Sequence, residues 1–488
     1  MKYDIVIGLE VHAQLLTASK MFCSCSTDYA YTDPNTHVCP VCLGMPGVLP
    51  TINKKAVEFT AMTALALNCS ISRQAKFDRK NYPYPDLMKG YQISQFDEPV
   101  GINGWIMLDM DGEQKRIGIT RVHLEEDVAK LLHRTSQEGE SYSLMDVNRA
   151  GVPLMEIVGE PDISSPEEAR LYLMKLRTIL QYLGVSTGNM EEGSFRCDAN
   201  ISIKPAGSKE LLHKVEVKNM NSFKAVYRAL EYEAKRQVEV TENHGKLVQE
   251  TRGWVEEKGV TVSQRSKEYA HDYRYFPEPD LPPFVFDDAW IDKIKVQLPE
   301  LPDARRERFL SQFGLTEYDA GIIVESKDMA EYFEKCMNIV GSSGDGKKLA
   351  KKVSNWLLGD FLRFLNASGT AINDSKVTPE NMLDLISLME KGKISGPVSK
   401  TVFEEMFNSG KTASSILEEK GLSQISDDSQ IEDMIARVIA GNEQAVKDYQ
   451  AGKQQSLGFL IGQVMKISKG RANPELVRDI FVKKLGGN

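Results

Sequence analysis

A glutamate and a histidine stand two residues apart in the segment IGLEVHAQL, close to the start of the chain. Apolar residues occupy every second position of this segment, which is the pattern of a β-strand with one buried and one polar face. Glu10 and His12 therefore share the polar face. Such a pair either binds one metal ion or belongs to an ordinary polar surface, and the segment alone leaves both possibilities open.

Carboxylates recur in other short segments with strand-like alternation. Glu125 lies in LEED, Glu156 in PLMEIV and Asp198 in RCDAN. Oxygen ligands of this kind suit Mg²⁺, which also binds substrate phosphates, and neighbouring Lys and Arg suit a phosphoryl group in transfer. The residues therefore indicate ATP chemistry in a cleft of a sheet lined by carboxylates. Glu126 should face away from Glu125 if the strand is regular.

Four of the seven cysteines form two close pairs, Cys23 with Cys25 and Cys39 with Cys42. In a reducing compartment two such pairs indicate a zinc site and not disulfides. The zinc would be structural, because four thiolates leave no open position for chemistry. The alternative is a set of four unrelated small thiols.

Length and composition bound the class of protein. A chain of 488 residues with 41% hydrophobic and 26% charged residues predicts a globular protein of two or three domains. No apolar run approaches the roughly 20 residues of a membrane span, and no signal peptide is visible, so we expect a cytoplasmic protein. The net charge of −9 argues against a broadly basic surface but leaves room for a local basic patch.

Two kinds of secondary structure divide the chain. Strand patterns and two helices, one starting at Ser165 and ending at Gly184 and one over about 223–243, fill the first part. A proline-rich stretch from Phe276 should prevent regular structure and mark a boundary, and helical patterns follow it. We expect three domains, at residues 1–292, 293–409 and 410–488.

The end of the chain is locally basic. Its last helical pattern has six basic and two acidic residues, namely Lys466, Lys469, Arg471, Arg478, Lys483 and Lys484 against Glu475 and Asp479. Charge alone is compatible with a tail that contacts RNA and equally with a solvated helical face.

Several common catalytic motifs are missing from the sequence. It has no dinucleotide-binding G-x-G-x-x-G, no H-E-x-x-H and no nucleophile elbow. The segment GSSGDGKK lacks the Ser or Thr of a phosphate-binding loop and follows a helical pattern. A serine or cysteine hydrolase therefore has no support.

The segments GLEVH, LEED, PLMEIV and RCDAN and the two cysteine pairs resemble the GatB family, the B subunits of tRNA-dependent amidotransferases. The resemblance covers essentially the whole chain. It implies a heterotrimer in which an A subunit hydrolyses glutamine to ammonia and a small C subunit wraps the other two. The B subunit would use ATP to phosphorylate the side-chain carboxylate of Glu-tRNA(Gln) or Asp-tRNA(Asn), and ammonia would then displace phosphate.

The same resemblance implies a fold and a site. The fold would be α+β, a cradle domain with a curved antiparallel sheet similar to glutamine synthetase and a zinc-binding insertion, followed by all-α domains of which the last binds tRNA. Lys80 and Arg196 become candidate phosphate partners, with structural ion pairing as the alternative. The implied catalytic metal ligands are Glu10, His12, Glu125, Glu156 and Asp198.

Two other functions remain compatible with the sequence. One is a non-catalytic protein for tRNA binding or assembly, in which a zinc site stabilises the fold and a basic helical tail contacts RNA. The polar strand faces argue against it, because carboxylates repel RNA unless they hold metal. The other is a kinase or ligase acting on a free amino acid, which would have no use for a basic tail.

Overall fold

The computed structural model describes residues 2–110, 112–266, 273–341, 346–421, 428–468 and 470–485. Residues 342–345 of the segment GSSGDGKK, and Lys469 of the tail, lie outside the described residues. The chain forms two compact units, residues 1–302 and 303–488, which we describe separately.

The first unit contains all strands of the described chain and four helices. The strands are β1 (Tyr3–Gln14), β2 (Ser70–Ile71), β3 (Gln74–Ala75), β4 (Asp78–Asn81), β5 (Tyr91–Ser94), β6 (Gly101–Met110), β7 (Glu113–Glu126), β8 (Lys130–Thr135), β9 (Ser141–Asp146), β10 (Pro153–Gly159), β11 (Phe195–Pro205), β12 (Val215–Lys218), β13 (Glu250–Val255), β14 (Val260–Ser266), β15 (Phe276–Pro277) and β16 (Phe284–Val285). The helices are α1 (Lys54–Ala66), α2 (Pro166–Leu183), α3 (Phe223–Glu242) and α4 (Asp288–Val296).

A sheet of nine described strands, in the order β14-β13-β12-β11-β1-β10-β7-β6-β2, is the frame of this unit. Its pairs are antiparallel except β12 with β13, which is parallel. The pairing of the sheet is therefore antiparallel as predicted, with this pair as the exception. The reason is α3, which connects β12 to β13 as a crossover helix and so returns the chain in the same direction. Smaller sheets pair β15-β4-β5, β16-β3 and β8-β9.

The two faces of β1 differ as its alternation predicts. Ile7, Leu9, Val11 and Ala13 are at most 1% exposed and join the core formed with α1 to α4. The intervening residues, Glu10 and His12 among them, lie on the opposite face. Burying the apolar face fixes the register, because a slip of one residue would exchange the faces.

Helix α2 begins and ends at the residues that the sequence predicts. Ser165 Oγ accepts a hydrogen bond from the Glu168 backbone N–H at 3.1 Å, and Gly184 ends the helix with φ 67°. The Glu168 carboxylate accepts from Ser164 N at 2.8 Å instead of returning to Ser165. The helix entry is thus held one residue earlier than a regular capping box requires.

The proline-rich stretch is more ordered than predicted. Phe276 and Pro277 pair with Arg79 and Asp78 of β4. Phe284–Val285 pairs with β3, and α4 packs into the core of the first unit. Prolines are tolerated here because the strands are short edge strands.

The described part of the second unit is helical. Its α-helices are α5 (Pro302–Phe313), α6 (Glu317–Val324), α7 (Lys327–Val340), α8 (Gly346–Trp356), α9 (Leu362–Ser368), α10 (Pro379–Glu390), α11 (Gly396–Ser409), α12 (Ala413–Lys420), α13 (Asp428–Gly441), α14 (Glu443–Gln450), α15 (Gln455–Ile467) and α16 (Pro474–Leu485). One hydrophobic cluster lies between Phe309 and Leu417 and another between Ile431 and Phe481. The division into three domains stays a prediction. Among the described residues, no helix combines the length and apolar character of a membrane span.

Candidate active site

The candidate site lies on the polar face of four adjacent strands, β11, β1, β10 and β7. The register places Glu10 opposite Asp198 and His12 opposite Glu156. Glu156 in turn lies opposite His123 of β7. Residues far apart in the chain therefore meet because side chains of paired residues lie on one face.

His12, Glu125 and Glu156 form the tightest part of the site. His12 Nε2 lies 3.2 Å from Glu156 Oε2 and 3.6 Å from Glu125 Oε1. One ligand atom from each of the three residues lies within 4.8 Å of the other two. An imidazole nitrogen and two carboxylate oxygens in this arrangement fit one divalent cation.

The ionisable side chains of His12, Glu125 and Glu156 are held close together away from water, which favours the binding of a cation. Burial raises the pKa of Glu125, and Glu156 raises it further, against the effect of Lys80. Burial alone would also raise the pKa of Glu156, but His123 and His12 hold it well below its usual range. Burial lowers the pKa of His12, and the neighbouring Glu156 and Glu125 outweigh it, so the net shift is upward. A metal ion in this position would take the place of the His12 proton as the counter-charge.

His123 is a site residue that sequence reasoning did not single out. Its ring is 2% exposed, and Nε2 lies 3.5 Å from Glu156 Oε2. Burial, together with the positive charges of Arg121 and Lys80, lowers its pKa to about 4, so the ring is neutral near pH 7. The available signal was its position two residues before Glu125 on the same strand face.

Glu10 and Asp198 form a second acidic pair next to the first group. Asn200 Nδ2 donates to Glu10 Oε1 at 2.9 Å, and Lys218 Nζ lies 2.6 Å from Asp198 Oδ2. Burial and the charges of Glu156 and Asp198 raise the pKa of Glu10. Neither belongs to the close three-residue group, so the five predicted ligands divide into three and two.

Lys80 lies beside the carboxylates, on strand β4. Its Nζ is 5.2 Å from the centre of the Tyr273 ring. Burial would lower the pKa of Lys80, but Glu125 and Glu156 outweigh burial and raise it above its usual range. Lys80 is therefore a half-buried cation beside the acidic residues, as a phosphate partner would be.

Arg196 and Glu126 have other partners. Arg196 Nη2 donates to Asp127 Oδ2 at 3.1 Å, and the same oxygen accepts from Gln14 Nε2 at 2.7 Å. This geometry favours structural ion pairing for Arg196. Glu126 Oε1 lies 2.5 Å from Lys89 Nζ and accepts from Ile93 N at 3.0 Å, outside the group of three.

The four paired cysteines converge at a separate place in the first unit. Their Sγ atoms all lie within 4.8 Å of one another, and those of Cys39 and Cys42 are 3.9 Å apart. Four thiolates at about 2.3 Å from a tetrahedral zinc would be about 3.8 Å apart, so the set fits zinc. Hydrogen bonding from Cys23 and the Cys39 N–H lowers the pKa of Cys42 to about 4. The remaining cysteines, Cys69, Cys197 and Cys336, are buried singly.

Comparison with known families agrees with the layout of the chain. Residues 5–292 match the GatB/GatE catalytic domain and residues 331–485 match the GatB domain. The chain belongs to the GatB family.

Full-length relatives carry one shared name, the B subunit of aspartyl/glutamyl-tRNA(Asn/Gln) amidotransferase. The protein of that name from Dehalococcoides mccartyi is 57% identical over 487 residues, which cover 99% of each chain. Proteins of the same name from Carboxydothermus hydrogenoformans and Caldanaerobacter subterraneus are 54% and 55% identical, over 99% of this chain and 99% and 100% of their own.

Proposed function

We propose that this protein is the B subunit of a tRNA-dependent amidotransferase. It uses ATP to phosphorylate the side-chain carboxylate of Glu-tRNA(Gln) or Asp-tRNA(Asn) and then transfers ammonia to the activated carbonyl. The observation that carries the proposal is the convergence of His12, Glu125 and Glu156 within 4.8 Å on three neighbouring strands. The names of the relatives support the substrate.

The reaction explains why cations and carboxylates are concentrated at one place. A free carboxylate is a poor electrophile because its oxygen is a bad leaving group, and conversion to an acyl phosphate divides one hard step into two easier ones. A bound Mg²⁺ would neutralise the negative charge that develops on the phosphoryl group. His12, Glu125 and Glu156 would hold one such ion, and Glu10 and Asp198 would complete the acidic face.

The residues around these ligands have supporting tasks. Lys80 is half-buried near Glu125 and would keep a positive charge facing the phosphoryl group during transfer. His123 lies 3.5 Å from Glu156 Oε2, so it would orient that carboxylate, and as a neutral ring it would add no positive charge beside the cation.

Ammonia has to come from elsewhere. The sequence contains no nucleophile elbow with which to hydrolyse glutamine. We therefore propose a heterotrimer with an amidase A subunit and a small C subunit, with glutamine as the amido donor. The four cysteines would bind a structural zinc, and the basic C-terminal helices would contact tRNA.

Reconstitution with the presumed A and C partners tests the proposal. We expect phosphate release from ATP that depends on misacylated tRNA, and amidation when ammonium chloride replaces glutamine. Binding of tRNA without phosphate release would instead support a non-catalytic assembly protein. Phosphate release with free glutamate or aspartate but not with aminoacyl-tRNA would support a small-molecule ligase.

A further inference from the structure

Lys20 is a charged side chain with no exposed surface. It is 0% exposed and ranks among the largest fully buried side chains of the described residues. Its Nζ donates to the backbone carbonyl of His37 at 2.8 Å. Within the described chain, no carboxylate lies within ion-pair distance of this ammonium. A single carbonyl dipole does not compensate a buried full charge, so a neighbouring anion is required.

Lys20 contacts the loops that carry both pairs of cysteines. Its backbone N–H donates to the Cys25 carbonyl at 2.9 Å, which closes the turn that carries the first cysteine pair. His37, which accepts from the ammonium, stands two residues before Cys39. A Cβ at Gly151 would lie 3.4 Å from Lys20 Cδ and 3.6 Å from Cys42 Cβ, so both side chains flank the same space above this glycine.

We propose that the Lys20 ammonium is the buried counter-charge of a thiolate cage formed by Cys23, Cys25, Cys39 and Cys42. Four thiolates around a divalent cation carry a net charge of about −2, which is the anion that a buried ammonium requires. This inference rests on the zinc binding of the proposed function.

Zinc affinity is the first test. In competition with a chromophoric chelator, full-length Lys20→Met should bind Zn²⁺ at least about 10-fold more weakly than the unmodified chain, because the cage loses its counter-charge. Lys54→Met, on the exposed surface of α1, is the matched control and should leave the affinity unchanged. Lys20→Gln removes the charge but keeps a donor for the His37 carbonyl, and it should behave like Lys20→Met. Equal affinity of the Lys20 and Lys54 variants would overturn the proposal.

Stability provides a second test. With zinc bound, Lys20→Gln should lower the thermal midpoint. In chains stripped of zinc by a chelator the decrease should be smaller, because the zinc–thiolate cluster that pairs with Lys20 is then absent. A decrease of similar size in both states would show that Lys20 acts only through packing.

These outcomes separate the inference from the proposal on which it depends. If the unmodified chain takes up no zinc, the zinc part of the proposed function is wrong. If it takes up zinc as tightly as both Lys20 variants do, only the role of Lys20 is wrong.

Discussion

His12 and Glu156 are direct partners across two antiparallel strands, and His12 Nε2 lies 3.2 Å from Glu156 Oε2. From the same position the ring reaches Glu125 Oε1 at 3.6 Å. One imidazole thus connects donors from β1, β10 and β7. The geometry of the proposed metal site therefore depends on strand register more than on any loop.

Glu156→Gln tests the three-residue group. We expect amidation with ammonium chloride to fall by at least about 100-fold, because an anionic ligand and its electrostatic contribution are lost together. The chain should still fold, since an amide of similar volume replaces the carboxylate. Glu113→Gln, at an exposed position of β7, should retain activity and serves as the control. Full turnover by the Glu156 variant would exclude this group from the reaction.

Asp198 allows a test that separates catalysis from ion pairing. Its carboxylate contacts Lys218 Nζ at 2.6 Å. If Asp198 serves the metal and substrate, Asp198→Asn should abolish both phosphate release and amidation, whereas Lys218→Met should leave most of the activity. Equal losses in the two variants would mean that Asp198 acts only by holding Lys218.

The basic tail predicts a salt effect on tRNA binding. Lys466 and Lys483 are exposed, whereas Arg471 Nη1 donates to the Gly421 carbonyl at 3.1 Å and is partly committed to the fold. The double variant Lys466→Glu/Lys483→Glu should weaken tRNA binding and reduce the slope of log K against log salt by about 1 to 2. The double variant Lys54→Glu/Lys209→Glu, at two exposed positions of the first unit, controls for net charge. An unchanged slope would identify these lysines as ordinary solvated residues.

Glu168 predicts how stability depends on pH, away from the proposed metal sites. Burial would raise its pKa, but hydrogen bonds from Lys115 and Ser164 hold the pKa below its usual value. Because the folded-state pKa is depressed, this stabilisation is present above the unfolded-state pKa of about 4.3 and is lost as pH falls through the folded-state pKa. Glu168→Gln should lower the free energy of unfolding by about 1.5–3 kcal/mol at pH 7, and by much less near pH 3.

Urea unfolding at the two pH values measures this difference. Glu167→Gln is the matched control, because Glu167 is more exposed and pairs only with Arg170 among the described residues. Its effect should stay below about 1 kcal/mol. If Glu168→Gln had the same effect at both pH values, packing and not charge would explain it.

Local patterns predicted much of the first unit. The alternation around Glu10 and His12 placed both on the face opposite the core, and the residues Ser165 and Gly184 marked the ends of α2. These features depend on neighbouring residues, whose geometry is fixed by the strand and helix repeats. The close approach of Cys39 and Cys42 follows from spacing in the same way.

Contacts between distant segments were harder to predict. The preference of Arg196 for Asp127 and the approach of His123 to Glu156 depend on how β11 and β7 align with their neighbours, which no local pattern encodes. The parallel pairing of β12 with β13 depends on the path of the chain through α3, which the alternation within the two strands does not encode. The division of the five predicted ligands into a group of three and a pair also depends on how the strands align, since all five occupy similar segments.

Strand β1 lies in the middle of the nine-stranded sheet, yet its neighbours β10 and β11 begin at Pro153 and Phe195. At a translation rate of about 5–20 residues per second, β1 leaves the ribosome roughly 10–40 s before β11 can join it. During that interval its apolar side and its unpaired backbone groups are exposed to other nascent chains. Synthesis of this protein should therefore depend on chaperones that shield an early hydrophobic strand until its partners emerge.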